Sequence, residues 1–550
     1  MDERALHLAE SIVEPRYIQA GVESQRSVER TVRSILAQRR CPDEGLNDCA
    51  IELLLHQIAM MDTNNFTAHV GAGEREGRVA STLVQRRYYN LTHGVGRSGD
   101  ICSDQPKAAG SSLLYKLTNH MVLDLLRQAG TPSLASAAVI PMATGMTISL
   151  VLRSIAHHRD QETRTRATEA AVDDQRRSDC GATSVAPVAP RFVIWTRVDQ
   201  KTALKCIELS GFIPVVVPLR RASVLRRYRD EDKEGPGAVS SLHSYFLQAH
   251  VDDVAASIER VGGPTNVLCV LSTTSCFAPR LPDDVVAIAK LCKTLGVPYV
   301  VNNAYGVQSR SIMQRIDAAI RLGRVDAIVQ SGDKNFLVPV GGAVLSGGRT
   351  EVARATSLYA GRASASPVVD LFITALSLGR CGFQKLWDAR YFLRELLEQR
   401  LRDFARAREE TLLDEFDPQG DMHGVHDDGS CNRHNSSGLS AATDTRRGDA
   451  KYALRNDISF AITMRNIGGP SEAAAVGARL FRGAVTGPRV VLPNEEKISL
   501  CGHLFRNYGM HTDDTPACPL LVLACGVGMK MEDAEGLMKR LEEVWPATRP

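Results

Sequence analysis

The chain has 550 residues, 44% apolar and 23% charged, with a formal net charge of +3. This is the balance of a soluble globular protein of two or more domains. It excludes a global nucleic-acid-binding field, so any such binding has to rest on a local patch.

The thirteen cysteines are scattered and contain no C-x-x-C pair, which argues for reduced thiols and against a disulfide scaffold or a zinc site. No apolar run approaches the ~18–20 residues of a membrane span. The N-terminus, Met1-Asp-Glu-Arg-Ala5, lacks a signal core. A cytoplasmic protein is expected, without a bound metal, and the triplets Asn90-Leu-Thr92 and Asn435-Ser-Ser437 are read as chance glycosylation matches.

Residues 1–45 are polar and arginine-rich, with helical spacing in Val28, Val32, Ile35 and Leu36. They are read as a helical extension. Ile51, Leu54, Leu55 and Ile58 then predict an amphipathic helix over Asn47–Met61. Next comes a glycine-rich segment with little periodicity: Gly71-Ala-Gly-Glu-Arg-Glu-Gly-Arg78, His93-Gly-Val-Gly-Arg-Ser-Gly-Asp100 and Gln105-Pro-Lys107. Glycines let backbone amides approach an anion, and Arg75, Arg97 and Ser98 add donors suited to phosphate. Structural turns carrying surface arginines are the plainer reading, and no Walker loop occurs.

A helix over Ala108–Leu126 is followed by Val139-Ile-Pro-Met-Ala-Thr-Gly145, a strand running into a small-residue turn, and by helical Met146–Ala156. That order seats a phosphate at a helix N-terminus. Residues 157–190 lack periodicity and are expected to form a disordered surface insertion. Strands are predicted at Phe192–Val198, Ile213–Val217, Asn266–Leu271, Tyr299–Val301 and Ala327–Val329, with an amphipathic helix at Asp283–Leu295. The alternation predicts an α/β domain with a mostly parallel sheet and its ligands at the strands' C-terminal ends. Polar groups sit at such ends: Asp199-Gln-Lys201, Ser272-Thr-Thr-Ser275 and Asn302-Asn-Ala-Tyr-Gly306.

Ser331-Gly-Asp333 reads as a fourth polar strand end, followed by Lys334. A lysine projecting from a sheet edge into a cleft can serve as a nucleophilic amine, as in the Schiff base to pyridoxal phosphate. A solvated turn lysine is equally compatible with these residues alone. Beyond helical segments to about Glu415, residues 417–450 form a second low-complexity insertion, whose His423, His426 and His434 are read as loop composition. Strands at Ile458–Met464, Arg489–Pro493 and Leu520–Leu523 and a helix over Met531–Trp545 predict a smaller α+β domain.

Gly73–Ser81, His93–Asp100, Gln105–Ser112, Pro141–Met146, Ser272–Arg280, Asn302–Gln308, Asp333–Gly342 and Gly361–Pro367 together resemble the O-phosphoseryl-tRNA(Sec) selenium transferase family. The resemblance covers residues 47–380 apart from the first insertion, and the C-terminal region more weakly. It implies pyridoxal-phosphate fold type I and a homotetramer assembled with help from residues 1–45. The catalytic domain would span 46–380 and the C-terminal domain 381–550.

The resemblance further implies that Lys334 bonds covalently to the cofactor and that Arg75, Ala143, Thr144, Gly145, Gln200 and Asn302 bind it. Arg97, Ser98, Gln105 and Arg362 would hold the substrate's phosphate, with Glu74 near its carboxyl. Groups from two subunits would meet in one site. Phosphoseryl-tRNA(Sec) and selenophosphate would be the substrates. Arg321 and a C-terminal basic residue would contact tRNA; here Gly483 holds the expected place of the latter and Arg482 lies one before it. Neither a membrane nor DNA is an expected partner. The alternatives are a β-lyase or cysteine desulfurase acting on free amino acids, and a tRNA-binding protein without catalysis.

Overall fold

The computed structural model describes residues 3–97, 99–175, 192–227, 239–274, 277–413, 456–494, 496–514 and 518–546, with backbone alone for 166–175, 222–227 and 239–245. The chain opens with helices α1 (Glu3–Ala9), α2 (Pro15–Gln38), α3 (Asp48–Ala59), α4 (Thr82–Arg87) and α5 (Ala109–Ala129). Strand β1 (Ser136–Ile140), α6 (Thr144–Gln175), β2 (Phe192–Thr196), α7 (Lys201–Leu209) and β3 (Ile213–Val217) follow. A separate hairpin, β4 (Arg220–Arg227) and β5 (Val239–Gln248), interrupts the alternation. It resumes with α8 (Val251–Arg260), β6 (Val267–Thr273), α9 (Val285–Leu295), β7 (Tyr299–Asn302) and α10 (Arg310–Leu322). The core of the site then comes from β8 (Ala327–Ser331), α11 (Gly332–Phe336) and β9 (Ala343–Gly347).

Seven strands form one sheet in the order β1-β9-β8-β7-β6-β2-β3. The ladders from β8 through β7, β6 and β2 to β3 are parallel, and β9 lies antiparallel between β1 and β8. Strand side chains alternate between faces, and each face has its own core. Val139, Ile194, Val270, Val301, Ile328 and Val344 pack on the face covered by α5, α8, α9 and α10. Ala138, Trp195, Leu271, Val300, Val329 and Leu345 pack on the opposite face with α6 and α7. Burial on both sides explains why these strands read as continuous apolar runs.

After α12 (Arg349–Thr356), α13 (Ser366–Arg406) runs past the sheet, broken by non-helical backbone at Gly379. Its second half packs with β10 (Leu412–Leu413), β11 (Ser459–Thr463), α14 (Pro470–Arg482), β12 (Arg489–Val491), β15 (Leu520–Ala524) and α15 (Met531–Val544), around Leu397, Ile462, Leu480, Leu521 and Leu541. A small hairpin, β13 (Ile498–Leu500) and β14 (His503–Phe505), lies between β12 and β15.

The expected insertion at 157–190 needs correction. Helix α6 continues to Gln175, held by Arg159 Nη1 donating to the Val267 carbonyl at 2.7 Å and by Arg354 pairing with Glu162 at 3.1 Å. These residues are good helix formers without an apolar stripe, so propensity was present and periodicity was not. Residues 176–191 and the expected insertion at 417–450 lie outside the described residues.

Candidate active site

Because β1, β2, β6, β7 and β8 point the same way, their C-terminal ends share one edge of the sheet. Four of the segments singled out in the sequence meet there. After β1 the Ala143 carbonyl accepts the Thr147 amide at 2.9 Å, and α6 starts at Thr144. The first-turn amides of a helix have no intrahelical acceptor and sit at the positive end of its dipole. Gly145 is buried at this turn, where a Cβ would collide with Thr202 of α7. A helix N-terminus of this kind can hold an anion.

At the end of β2, Gln200 is exposed just ahead of α7, and its amide donates to the Val198 carbonyl at 2.7 Å. The preceding Asp199 is locked into the C-terminal part of the chain. Its carboxylate accepts Arg197 Nε and the amides of Gly509 and His511, each at 2.8 Å, and its own amide donates to His511 Nδ1 at 3.0 Å. Burial pushes the Asp199 carboxyl up, but His511, Arg197 and the Gly509 amide outweigh it and leave it below the usual carboxylate range. Asn302, half-buried at the end of β7, accepts the Ala304 amide on Oδ1 at 3.3 Å.

Lys334 sits on α11, a one-turn helix where the sequence reads as a polar turn. Asn335 stabilises that turn by donating Nδ2 to the carbonyls of Ser331 at 2.8 Å and Ala304 at 2.9 Å. Half-buried Lys334 places Nζ 4.4 Å from the centre of the Tyr305 ring, in cation–π contact. Gln308 donates Nε2 to the Lys334 carbonyl at 3.3 Å.

A second group of residues lines a separate cavity of about 580 Å³: Glu74, Arg75, Arg97, Ser103, Gln105 and Arg362. A neighbouring cavity of about 610 Å³ shares Glu74, Arg75 and Arg362 and adds Glu76 and His93. Arg362 is fixed by donating Nη2 to the His93 carbonyl at 2.7 Å, and the backbones meet at a Val95–Ala363 bridge. Burial pulls the Arg362 guanidinium below its ordinary range, and Arg75 adds to this. Three guanidinium groups on one cavity could hold a multiply charged anion.

Lys334, Gln200, Asn302 and residues 143–145 do not line either cavity. Ser98 lies outside the described residues. Arg321 is exposed on α10 and paired with Asp317 at 2.8 Å, and Arg482 is exposed at the end of α14 beside exposed Phe481. No group of three or more metal-ligating side chains occurs among the described residues.

Sequence reasoning did not single out Tyr305, Gln308, His93, Glu76 or His511 individually. The first four stand inside motifs that it did mark. His511 lies in a segment whose importance appears only when its loop meets β2.

Counted along the chain, the seven sheet strands lie in the order 3-2-4-5-6-7-1 with the seventh antiparallel. With a lysine after the sixth strand and a helix N-terminus after the first, this is the architecture of pyridoxal-phosphate-dependent transferases of fold type I. The sequence profile of O-phosphoseryl-tRNA(Sec) selenium transferase matches residues 61–171 and 240–545. The O-phosphoseryl-tRNA(Sec) selenium transferase of Leishmania donovani is 52% identical, over 99% of this chain and 100% of its own. That of Dictyostelium discoideum is 34% identical, over 99% of each. The crystal structure of an archaeal O-phosphoseryl-tRNA(Sec) selenium transferase superposes with a TM-score of 0.73 at 24% identity, over 97% of this chain and 99% of its own. The chain belongs to the O-phosphoseryl-tRNA(Sec) selenium transferase family.

Proposed function

We propose that the protein converts O-phosphoseryl-tRNA(Sec) to selenocysteinyl-tRNA(Sec), using pyridoxal phosphate and selenophosphate. The observation that carries this reading is the convergence of Arg75, Arg97, Arg362 and Gln105 on one cavity, in a fold that also presents Lys334 at its sheet edge. A charged substrate phosphate suits that cavity.

The residues at the sheet edge fit the cofactor. The α6 amides with the close-packed Gly145 would take its phosphate, Gln200 would lie near the ring, and Asn302 would face the pyridine nitrogen. Lys334 would hold the cofactor covalently, and Arg75 would help bind it. When bound, pyridoxal phosphate takes up the electron pair left at the substrate's Cα. Lys334 Nζ, freed when the substrate's amine takes its place on the cofactor, is the group to remove the Cα proton, and the Tyr305 ring orients it. Arg97, Ser98, Gln105 and Arg362 hold the leaving phosphate and stabilise charge where it develops. Selenophosphate then adds through selenium at Cβ, Cα regains a proton, and water cleaves the P–Se bond to release phosphate.

The arginine cavity and the lysine are separate within one chain, which supports a site completed by a second copy. Leu8, Ile12 and Tyr17 on or near the N-terminal helices are 70%, 84% and 60% exposed, which supports 1–45 as an assembly arm of a homotetramer. Exposed Arg321 and Arg482 are the tRNA contacts of this reading. Among the described residues no helix is long and apolar enough to cross a membrane, and the cytoplasm is the proposed compartment. Incubation with phosphoseryl-tRNA(Sec) and selenophosphate tests the reading. Release of phosphate with formation of selenocysteinyl-tRNA supports it; turnover of free phosphoserine in preference to the charged tRNA rejects it.

A further inference from the structure

The loop 505–513 closes on the end of β2 just ahead of Gln200. There the side chains of Arg197 and Asp199 are 3% and 0% exposed and pair at 2.8 Å. Arg197 reaches the loop three times. Its Nη1 donates to Asp513 Oδ1 at 2.8 Å, its Nη2 donates to the Arg506 carbonyl at 2.9 Å, and its guanidinium lies 5.1 Å from the centre of the Phe505 ring. Asp199 reaches it through the Gly509 and His511 amides and through its own amide, which donates to His511 Nδ1.

His511 is 1% exposed and holds φ at +61°, in the left-handed region. A residue other than glycine stays there only where its surroundings hold it. Here one residue gives both its amide and its ring nitrogen to Asp199. The backbone on the other side of Asp199 is fixed as well. The Gln200 amide donates to the Val198 carbonyl at 2.7 Å, and the Gln200 carbonyl accepts the Ala203 amide at 2.9 Å. The exposed Gln200 side chain makes no capping hydrogen bond to α7, so its aim is set by the backbone that carries it.

We propose that His511 is a positioning residue for the cofactor: it braces the Val198–Gln200 turn from behind and so holds the Gln200 side chain against the pyridoxal phosphate ring. This rests on the reading that places Gln200 near that ring. Site residues keep their geometry where packing and outer hydrogen bonds lock them. Without His511 Nδ1 the part-buried Asp199 amide loses its acceptor, the turn shifts to find another, and Gln200 moves with it.

A double-mutant cycle read on cofactor binding tests this. Apoenzymes of wild type, His511→Gly, Gln200→Ala and the double variant are titrated with pyridoxal phosphate and followed by absorbance. Glycine tolerates the left-handed backbone, so the first variant removes the ring without adding strain. Each single change should raise the dissociation constant about ten-fold, as for the loss of one hydrogen bond. The double variant should bind no worse than Gln200→Ala alone, because the two changes remove one effect. His511→Asn offers an acceptor near the place of Nδ1 and also tolerates positive φ; it should bind within about two-fold of wild type.

Additive losses in the double variant would make His511 a purely structural residue and overturn the proposal. Unchanged affinity in His511→Gly, or a loss in His511→Asn as large as in the glycine variant, would overturn it too. Unchanged affinity in Gln200→Ala would instead remove the reading of Gln200, and the proposal with it. If the glycine variant fails to fold, wild type alone decides. Coupling is reciprocal, so cofactor binding should slow hydrogen exchange across residues 505–514 relative to the apoenzyme. Unchanged exchange there overturns the proposal.

Discussion

Gln308 ties Lys334 to the C-terminal part of the chain. Its Nε2 donates to the Lys334 carbonyl at 3.3 Å while its Oε1 accepts the Val527 amide at 2.8 Å. Arg390 Nε in turn donates to the Gln308 carbonyl at 3.1 Å. Gln308 is 2% exposed, and a Gln308→Leu substitution leaves the part-buried Val527 amide and Lys334 carbonyl without this partner. The expected cost is about 1–3 kcal/mol. Thermal unfolding should begin at lower temperature and pyridoxal phosphate should dissociate faster, both followed through the cofactor's absorbance. An unchanged unfolding midpoint would remove the tether.

The arginines of the cavity should act on the phosphorylated substrate. One charge-assisted hydrogen bond is worth roughly 1.5–3 kcal/mol, so Arg97→Ala or Arg362→Ala should lower kcat/KM for phosphoseryl-tRNA about ten- to a hundred-fold. Arg362→Ala should be the more severe, since it also releases the His93 carbonyl. Normal kinetics in both variants would place the phosphate elsewhere.

The central sheet was legible because its strands are buried on both faces and so read as apolar runs, as Val267–Thr273 does. Strand β9 was not: Ala343–Gly347 is short and lies between glycine pairs that look like turns. The hairpin of β4 and β5 is arginine- and serine-rich at its start and carries no alternation to mark it. Gly332–Phe336 reads as a turn because its helix depends on the Asn335 side chain, not on pattern. At the site, composition marked the glycine–arginine loops and the polar strand ends. The Asp199–His511 contact spans 312 positions and has no local signature.

Glu74 should act as a filter against free phosphoserine. It is exposed on both arginine-lined cavities. The carboxyl of an aminoacyl-tRNA is an uncharged ester, whereas free phosphoserine presents a carboxylate that Glu74 repels. Glu74→Gln should tighten free phosphoserine binding and nearly preserve phosphoseryl-tRNA turnover. Unchanged phosphoserine affinity with lower stability would assign Glu74 to the loop instead.

Acid should weaken the lock between β2 and the C-terminal loop. Burial lowers the His511 imidazole to about 4, against Asp199, which raises it. The unfolded chain's histidine titrates near 6.5, so between the two values the unfolded state binds the extra proton and stability falls as pH falls. The window amounts to roughly 3 kcal/mol by that linkage. Denaturant unfolding of wild type at pH 7 and 4.5 should show this loss, and His511→Gln should flatten it while lowering stability at pH 7. Equal pH slopes in the two proteins would contradict the assignment.

Lys334 carries the central claim, and single-turnover assay of Lys334→Ala tests it most directly. Wild type mixed with phosphoseryl-tRNA(Sec) and selenophosphate should form selenocysteinyl-tRNA. The variant should lose the bound cofactor's absorbance band and all product formation, while still binding tRNA in a filter or gel assay. Product formation by the variant at the wild-type rate would contradict the account.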